Sequence, residues 1–207
     1  MRKVAWAAAL LFTAACYPGG AETVEDLDSV TTQHDASASF TTLRTYALPD
    51  TIQEVAAAQG QPLAMDHSYD AQILARVAAN LDAIGLRRVD PTTEKPDVDV
   101  LVTFTATRYT EYTSYSFCNL WPGWAGFSGY DPSWGVNYPY GNASVTVLDA
   151  GSLRIEMLDQ RTASSSTKQL TAIWNASVDG VLAGDNASIV QRIEKGIDQS
   201  FAQSPYL

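Results

Sequence analysis

The sequence predicts an α+β two-layer sandwich, in which two helices pack on one face of a four- to five-stranded, mostly antiparallel sheet. Residues 68–86 and 186–201 repeat apolar side chains at the spacing of an amphipathic helix. Between them, residues 97–107 alternate apolar and polar side chains, as a half-buried strand does. Because each helix carries a single apolar stripe, both should cover one sheet.

The first fifteen residues are typical of a secretory signal peptide. Arg2 and Lys3 precede an uncharged apolar run at 4–12, and small residues follow at 13–15. The run is shorter than the roughly 20 apolar residues that span a bilayer. We therefore expect residues 1–15 to be cleaved and leave them out of the fold.

Cys16 closes the segment "TAAC", which resembles a bacterial lipobox. The resemblance implies that a diacylglycerol is attached to the Cys16 sulfur, that the chain is cut before it, and that the new amino group is acylated. Several acyl chains hold a protein stably to a membrane, whereas one does so only marginally. Tyr17, rather than Asp, follows the cysteine, which favours the outer membrane and a domain facing the periplasm. The alternative is an ordinary signal peptide that leaves Cys16 as a free thiol.

The charge balance excludes some partners. The whole chain has a formal net charge of −10, and without Arg2 and Lys3 this becomes −12 over the remaining 192 residues. That length suits one domain with a substantial core. Nucleic acids and anionic headgroups need basic patches, so we expect no nucleic acid partner.

The first part of the mature chain should be a tether followed by a strand. Residues 16–37 are polar and acidic, and they predict a lipidated flexible tether to a single domain at 38–207. Residues 38–48, with Phe40 and Tyr46 among threonines, predict the first strand, and Pro49 ends it. A loop with a short helical turn should follow.

The first helix, 68–86, should begin at Ser68 as the N-cap and end at Gly85. The strand at 97–107 comes next, with Asp97 and Asp99 as its solvated polar entry. Further strands are predicted at 144–148, 152–159 and 169–178, with a hairpin connection at 161–168. The last helix should end before Pro205.

Residues 108–142 form an unusual insertion, because 11 of the 21 aromatic residues of the chain lie in it together with five Gly and three Pro. We expect a long irregular loop. It either covers the open face of the sheet, presents a mobile aromatic surface, or is largely disordered. Tyr and Trp suit a contact surface because they combine an apolar body with a hydrogen-bonding end. The residues of that candidate surface are Tyr115, Trp121, Trp124, Tyr130, Trp134, Tyr138 and Tyr140.

Sequence patterns for catalysis or metal binding are missing. His34 and His67 match no metal-ligand spacing, so no metal or other cofactor is expected. "GFSGY" at 126–130 departs from the nucleophile elbow G-x-S-x-G at its last position. Cys118 has no partner within the chain once Cys16 is lipidated; it is either buried or poised for an intermolecular bond.

Several segments, taken in order, resemble a family of bacterial envelope lipoproteins known as domain of unknown function 4136. They are "FTTLRTYALPD", "LDAIGLRRV", "KPDVDVLVTF", "GSLRIEMLD" and "LTAIWNASVDGVL". The resemblance spans roughly 39–205 and implies a lipid-anchored α+β domain. It brings no established activity and no catalytic residues.

The sequence thus predicts a non-enzymatic outer-membrane lipoprotein that binds or scaffolds. Its partners would be the membrane, through its acyl chains, and an envelope protein, a glycan or a lipid. The alternative function is a periplasmic protein that binds a small molecule or lipid in a pocket lined by the aromatic loop.

Overall fold

The fold is described from a computed structural model, which places residues 23, 25–55, 65–110, 135–137, 147–164, 169–182 and 184–207. Within this described part, eight strands form one sheet and two α-helices accompany it. The helices are α1 (Asp70–Ala83) and α2 (Asn186–Ala202). The strands are β1 (Ser29–His34), β2 (Thr45–Ala47), β3 (Gln53–Glu54), β4 (Arg87–Arg88), β5 (Val98–Thr110), β6 (Gly135–Asn137), β7 (Val147–Ser164) and β8 (Gln169–Val181).

The strands of the sheet lie in the order β1-β8-β7-β5-β2-β4. The three longest, β5, β7 and β8, lie side by side within it. The pairs β5–β7, β7–β8 and β1–β8 are antiparallel. The short strands add parallel pairs: β2 and β3 lie along successive parts of β5, β4 lies beside β2, and β6 lies beside β8. The sheet is therefore antiparallel at its centre and parallel in its short additions.

Both helices cover the same face of this sheet. The register sets Val100, Val102 and Phe104 of β5 opposite Met157, Ile155 and Leu153 of β7. These side chains form one buried cluster with the apolar stripes of α1 and α2. Trp174 of β8 is fully buried in it, and its indole N–H donates to Ser204 Oγ at 2.9 Å. The predicted α+β class, with two helices packed on one face of a sheet, is confirmed.

The helix ends follow from local chemistry. Asp66 caps a one-turn 3₁₀ helix (His67–Tyr69) by accepting from the Ser68 N–H, and this turn leads into α1. The cap is thus Asp66 rather than the predicted Ser68. Gly85, with φ of 92°, ends the first helix where a left-handed residue is needed. Asp185 caps α2 by accepting from the Ser188 N–H.

The prediction of four to five strands was wrong, because it omitted β1 and the short strands. Residues 29–34, assigned to the tether, form β1 and pair with β8 along their whole length. Of the segment 38–48, only 45–47 is a strand, and 40–42 is a 3₁₀ turn. Strands of two or three residues carry too little periodicity to be recognised.

Residues 147–148 of one predicted strand and the whole of the predicted strand 152–159 belong to a single strand, β7, which continues to Ser164 through half of the predicted hairpin connection. Gly151 lies inside it. A Cβ at this position would stand 2.8 Å from Leu182 Cδ2 and 3.0 Å from the Phe104 ring. The glycine therefore serves close packing on the strand and does not interrupt it.

The second face of the sheet carries many polar side chains that are buried. Glu156 is 0% exposed, and its carboxylate lies 2.9 Å from Arg154 Nη2. In register beside it follow Asn175 of β8 and Gln33 of β1. Asp99 lies on this face and is also buried, which corrects its expected solvation. The Gln160 amide donates a hydrogen bond to it.

No helix in the described ranges is both long and apolar enough to cross a bilayer.

Candidate functional site

A cavity of about 400 Å³ lies where both helices meet β5, and we call it the main cavity. Ligand sites in proteins measure roughly 300–1,000 Å³ and are mostly apolar with a few polar groups. Phe104 and Ala106 of β5 form its floor, and Ile73 of α1 stands on one side. The other described lining residues are Met65, Asp66, Tyr69, Leu182, Gly184, Asn186, Ile189, Val190 and Ile193.

The starts of both helices border the main cavity, and they supply its polar groups. Asp66 precedes α1 and Asn186 opens α2, and the Asn186 amide donates to Asp66 Oδ2 at 3.0 Å. The backbone N–H of Ser68 donates to the other carboxylate oxygen at 3.1 Å. Hydrogen bonds from Ser68, above all, hold the pKa of Asp66 below its usual value. An ionised carboxylate thus borders an otherwise apolar space.

His67 stands next to this border and is fixed by a buried acid. Its Nδ1 lies 2.9 Å from Asp70 Oδ2, which also accepts from the Ile52 N–H at 3.0 Å. Glu54 Oε1 lies 3.8 Å from the other ring nitrogen. The hydrogen bond to Asp70 is the main cause of the raised pKa of His67. This arrangement joins the β2–β3 connection to the start of α1.

A much smaller cavity, of about 20 Å³, shares Phe104, Leu182, Ile189 and Ile193 with the main cavity as wall residues. An ion pair borders it, with Arg192 Nη1 at 3.6 Å from Asp28 Oδ1. Burial raises the pKa of Asp28. Space of this size holds about one water molecule.

A further cavity of about 400 Å³ lies at the opposite end of α1. Leu43, Ile84, Leu86 and Met157 line it, and Arg44 is the one charged side chain among its described lining residues. It lies between the end of α1, the sheet and the C-terminus, and α2 contributes no described lining residue. The main cavity, which is lined by both helices and by β5, is the better candidate.

The polar second face of the sheet suits a structural role. Asp179 accepts from Ser152 Oγ at 2.6 Å and from Ser177 Oγ at 2.9 Å. Burial nevertheless raises the pKa of this carboxyl group. In the described part of the chain, no group of three or more His, Cys, Asp or Glu residues is placed to hold a metal ion.

The candidate site residues from the sequence fall outside the part of the chain that the structure describes. Cys16 and the seven aromatic residues of the proposed contact surface lie outside the described residues: Tyr115, Trp121, Trp124, Tyr130, Trp134, Tyr138 and Tyr140. Cys118 lies outside them as well. Of the insertion 108–142, residues 108–110 extend β5 and 135–137 form β6.

The residues that line the main cavity show the same sequence pattern as residues of a packed core. Phe104, Ile189, Val190 and Ile193 lie on the expected apolar faces of a strand and a helix. A cavity is space left between elements, so its position depends on how they pack rather than on any one element. Two lining residues could have been noticed in the sequence because they precede the helices: Asp66 lies before the first helix and Gly184 before the last.

Comparisons with known proteins give the following relatives. The model of the family "Domain of unknown function (DUF4136)" matches residues 30–206. A crystal structure of a DUF4136 family protein from Bacteroides thetaiotaomicron is 27% identical, with a TM-score of 0.63. The match covers 87% of this chain and 97% of that one. No curated protein matches the chain.

Two solved structures are more distant. A PDZ domain protein from Parabacteroides distasonis is 12% identical with a TM-score of 0.43, over 87% of this chain and 36% of that one. A PelC dodecamer from Paraburkholderia phytofirmans is 9% identical with a TM-score of 0.41, over 84% and 95%.

Proposed function

Since the chain belongs to the DUF4136 family of domains of unknown function, we propose that it is a lipid-anchored domain of the bacterial envelope that binds a small apolar ligand. The domain catalyses no reaction in this proposal. The family match confirms the resemblance seen in the sequence, while the activity of the family is unknown. The ligand and the anchor therefore have to be argued from this chain.

The main cavity is the observation that carries the binding role. It offers about 400 Å³ between the two helices and the sheet. Its walls are apolar side chains, and its polar groups gather at the helix starts. Burying apolar ligand surface against such walls contributes roughly 25 cal/mol per Å². The small-molecule alternative is thus favoured, with the helices and β5 as the described walls.

The anchor rests on the N-terminal sequence. The charged start, the apolar run and the small residues before Cys16 support export and acylation, and Tyr17 after it supports outer-membrane attachment facing the periplasm. The described fold begins shortly after, with a 3₁₀ turn at 25–27 and then β1. The intervening residues 17–24 span at most about 28 Å when extended. The intact mass of the membrane-purified protein, compared with a Cys16→Ser variant, tests this part.

The binding role is tested by filling the main cavity. The full chain carrying Cys16→Ser is titrated with the neutral fluorescent probe N-phenyl-1-naphthylamine, whose emission rises in apolar surroundings. Ala106→Phe places a ring into the cavity from the sheet. Ile189→Phe enlarges a wall residue that belongs to α2 and leaves the sequence of the sheet unchanged. Ile84→Phe, in the cavity at the other end of α1, is the matched control.

We expect saturable binding that Ala106→Phe and Ile189→Phe each weaken, while Ile84→Phe leaves it unchanged. Circular dichroism melts identify a variant that has lost its fold, since overpacking costs about 1–3 kcal/mol. Saturable binding that is equal in all folded variants, or no binding at all, would overturn the assignment of this cavity.

A further inference from the structure

The charges around the main cavity bear on which ligand it takes. We propose that this ligand is an amphiphile with one apolar chain and a cationic head group, an ammonium in the simplest form. This inference deepens the proposed function and rests on it, since it presupposes that the main cavity holds a ligand. The apolar walls would take the chain, and the helix starts would face the head group.

The border of the main cavity carries negative charge. Asp66 lines the cavity and is itself exposed. Asp185, between the lining residues Gly184 and Asn186, accepts from the Ser188 N–H at 2.9 Å. Bonds to Ser188 hold the pKa of Asp185 low, as bonds to Ser68 do for Asp66. Both groups therefore stay ionised at neutral pH, while the described lining residues include no Lys or Arg.

Two further acidic residues, Asp70 and Glu54, lie on either side of the imidazole of His67 near the start of α1. Asp70 is 4% exposed, and its Oδ1 has no hydrogen-bond partner among the described residues. Glu54 lies on the other side of His67 and accepts a hydrogen bond from the Met65 N–H. A protonated His67 would compensate only one of these carboxylates. The sum of formal charge near the helix starts is negative in either protonation state.

The helix macrodipoles would favour an anionic head group, but an acidic residue at the start of each helix offsets its dipole. The start of a helix carries roughly half a positive charge, which favours anions. In α2 the carboxylate of Asp185 caps the start, and in α1 Asp70 occupies the first turn. The charge of Asp66 thus remains in excess at the border of the cavity.

The arginine of α2 is directed elsewhere. Arg192 lies at the smaller cavity, where Asp28 is 3.6 Å away, and its side chain is 11% exposed. It stands on the far side of the shared wall formed by Leu182, Ile189 and Ile193. An anionic head group at the helix starts would therefore meet carboxylates rather than this guanidinium.

The experiment compares head groups on one chain length. Decyltrimethylammonium, decyl sulfate and 1-decanol, each below its aggregation or solubility limit, compete with N-phenyl-1-naphthylamine for the full Cys16→Ser chain at low salt. We expect the cation to compete at a concentration about five- to tenfold lower than the sulfate, as one or two carboxylates near a surface would produce. The ratio should shrink as salt is raised.

Asp66→Asn should reduce this ratio, and it keeps a side chain that can cap the 3₁₀ turn. Asp90→Asn removes an exposed carboxylate in the turn that follows β4, outside the described lining of the main cavity, and should leave the ratio unchanged. Equal competition by cation and sulfate would overturn the inference while the proposed function stands. Probe binding that no decyl compound displaces would overturn both. A ratio equally large in Asp66→Asn and Asp90→Asn would overturn the role of Asp66.

Discussion

Gly196 of α2 lies so close to Val178 of β8 that a Cβ at position 196 would stand 2.3 Å from Val178 Cγ1. Real Cβ atoms do not approach another atom to that distance. The valine is short and stiff, because both of its methyl groups branch from Cβ. This contact therefore sets how closely the second helix approaches the sheet.

Gly196→Ala should destabilise the domain, although alanine is the better helix former. Overpacking costs about 1–3 kcal/mol, whereas the gain in helix propensity is about 1 kcal/mol. Urea unfolding measures the net effect. Replacing exposed Gln191 by Gly or by Ala measures propensity on the same helix. In a double variant, Val178→Ala should restore part of the stability that Gly196→Ala removes. A Gly196→Ala protein more stable than the wild type would contradict the close contact.

Ser204→Ala should cost about 1–3 kcal/mol, because it leaves the buried indole N–H of Trp174 without its acceptor. The same hydroxyl donates to the Ser200 carbonyl at 2.9 Å, and that bond is lost too. Thermal unfolding with near-ultraviolet circular dichroism reports the loss and the indole environment. Exposed Ser39→Ala, the control, should stay within about 0.5 kcal/mol. Equal effects of the two variants would argue against the buried bond.

His67→Gln should weaken the protein more at low pH than at high pH. The pKa of His67 is raised in the folded state, chiefly by its hydrogen bond to Asp70. A raised histidine pKa gives stability that is fully present below the unfolded value of about 6.5 and is lost as pH rises through the folded value. Because the side chain is 53% exposed, we expect less than about 1 kcal/mol.

Urea unfolding between pH 5 and pH 9 measures this dependence. The same substitution in an Asp70→Asn background is the control, since the double-mutant cycle isolates the pair. A pH dependence that is identical with and without Asp70 would assign it to other groups.

Asp179→Asn should stabilise the protein at neutral pH by up to about 1 kcal/mol, since burial raises the pKa of this acid and so penalises its ionised form. Ser152 and Ser177 can still donate to an amide oxygen. A folded pKa above the unfolded value means that stability falls as pH rises through that range. The advantage of the variant should therefore vanish in acid.

Asp90→Asn should change the stability at neutral pH in the opposite direction to Asp179→Asn. Hydrogen bonds from Thr92 lower the pKa of Asp90, so its ionised form is favoured in the fold. Unfolding curves at pH 3 and pH 7 distinguish the two residues. Destabilisation by Asp179→Asn at pH 7 would mean that the hydrogen bonds from Ser152 and Ser177 favour the ionised form by more than burial disfavours it.

Sequence periodicity was reliable where an element buries one clear stripe. The stripes of α1 and α2 and the alternation of β5 place these elements correctly, because their apolar spacing reflects one buried face. The same rule misled at β1, whose segment "SVTTQH" is polar. This strand lies at the sheet edge, and its Gln33 and Thr31 pair with Asn175 and Ser177 on the polar face. Burial without apolar character leaves little signal in one sequence.

The site was harder to predict than the fold. Asp66 and Asn186 are separated by 120 positions, yet their side chains share a hydrogen bond beside the main cavity. Ile73 and Phe104 carry the same pattern as residues that pack without a gap. A single sequence records which side chains are apolar, but the volume between them depends on the crossing of helices over the sheet.

The position of β1 also has a mechanical consequence. Among the described residues it is the first strand, and six residue pairs join it to β8. A load applied through the N-terminus would reach the Asp28–Arg192 pair and then this ladder before any other part of the sheet. Pulled along its own axis, the strand resists with all six pairs at once, whereas peeled sideways it gives way pair by pair. A chain held at that end would thus yield according to the direction of the force.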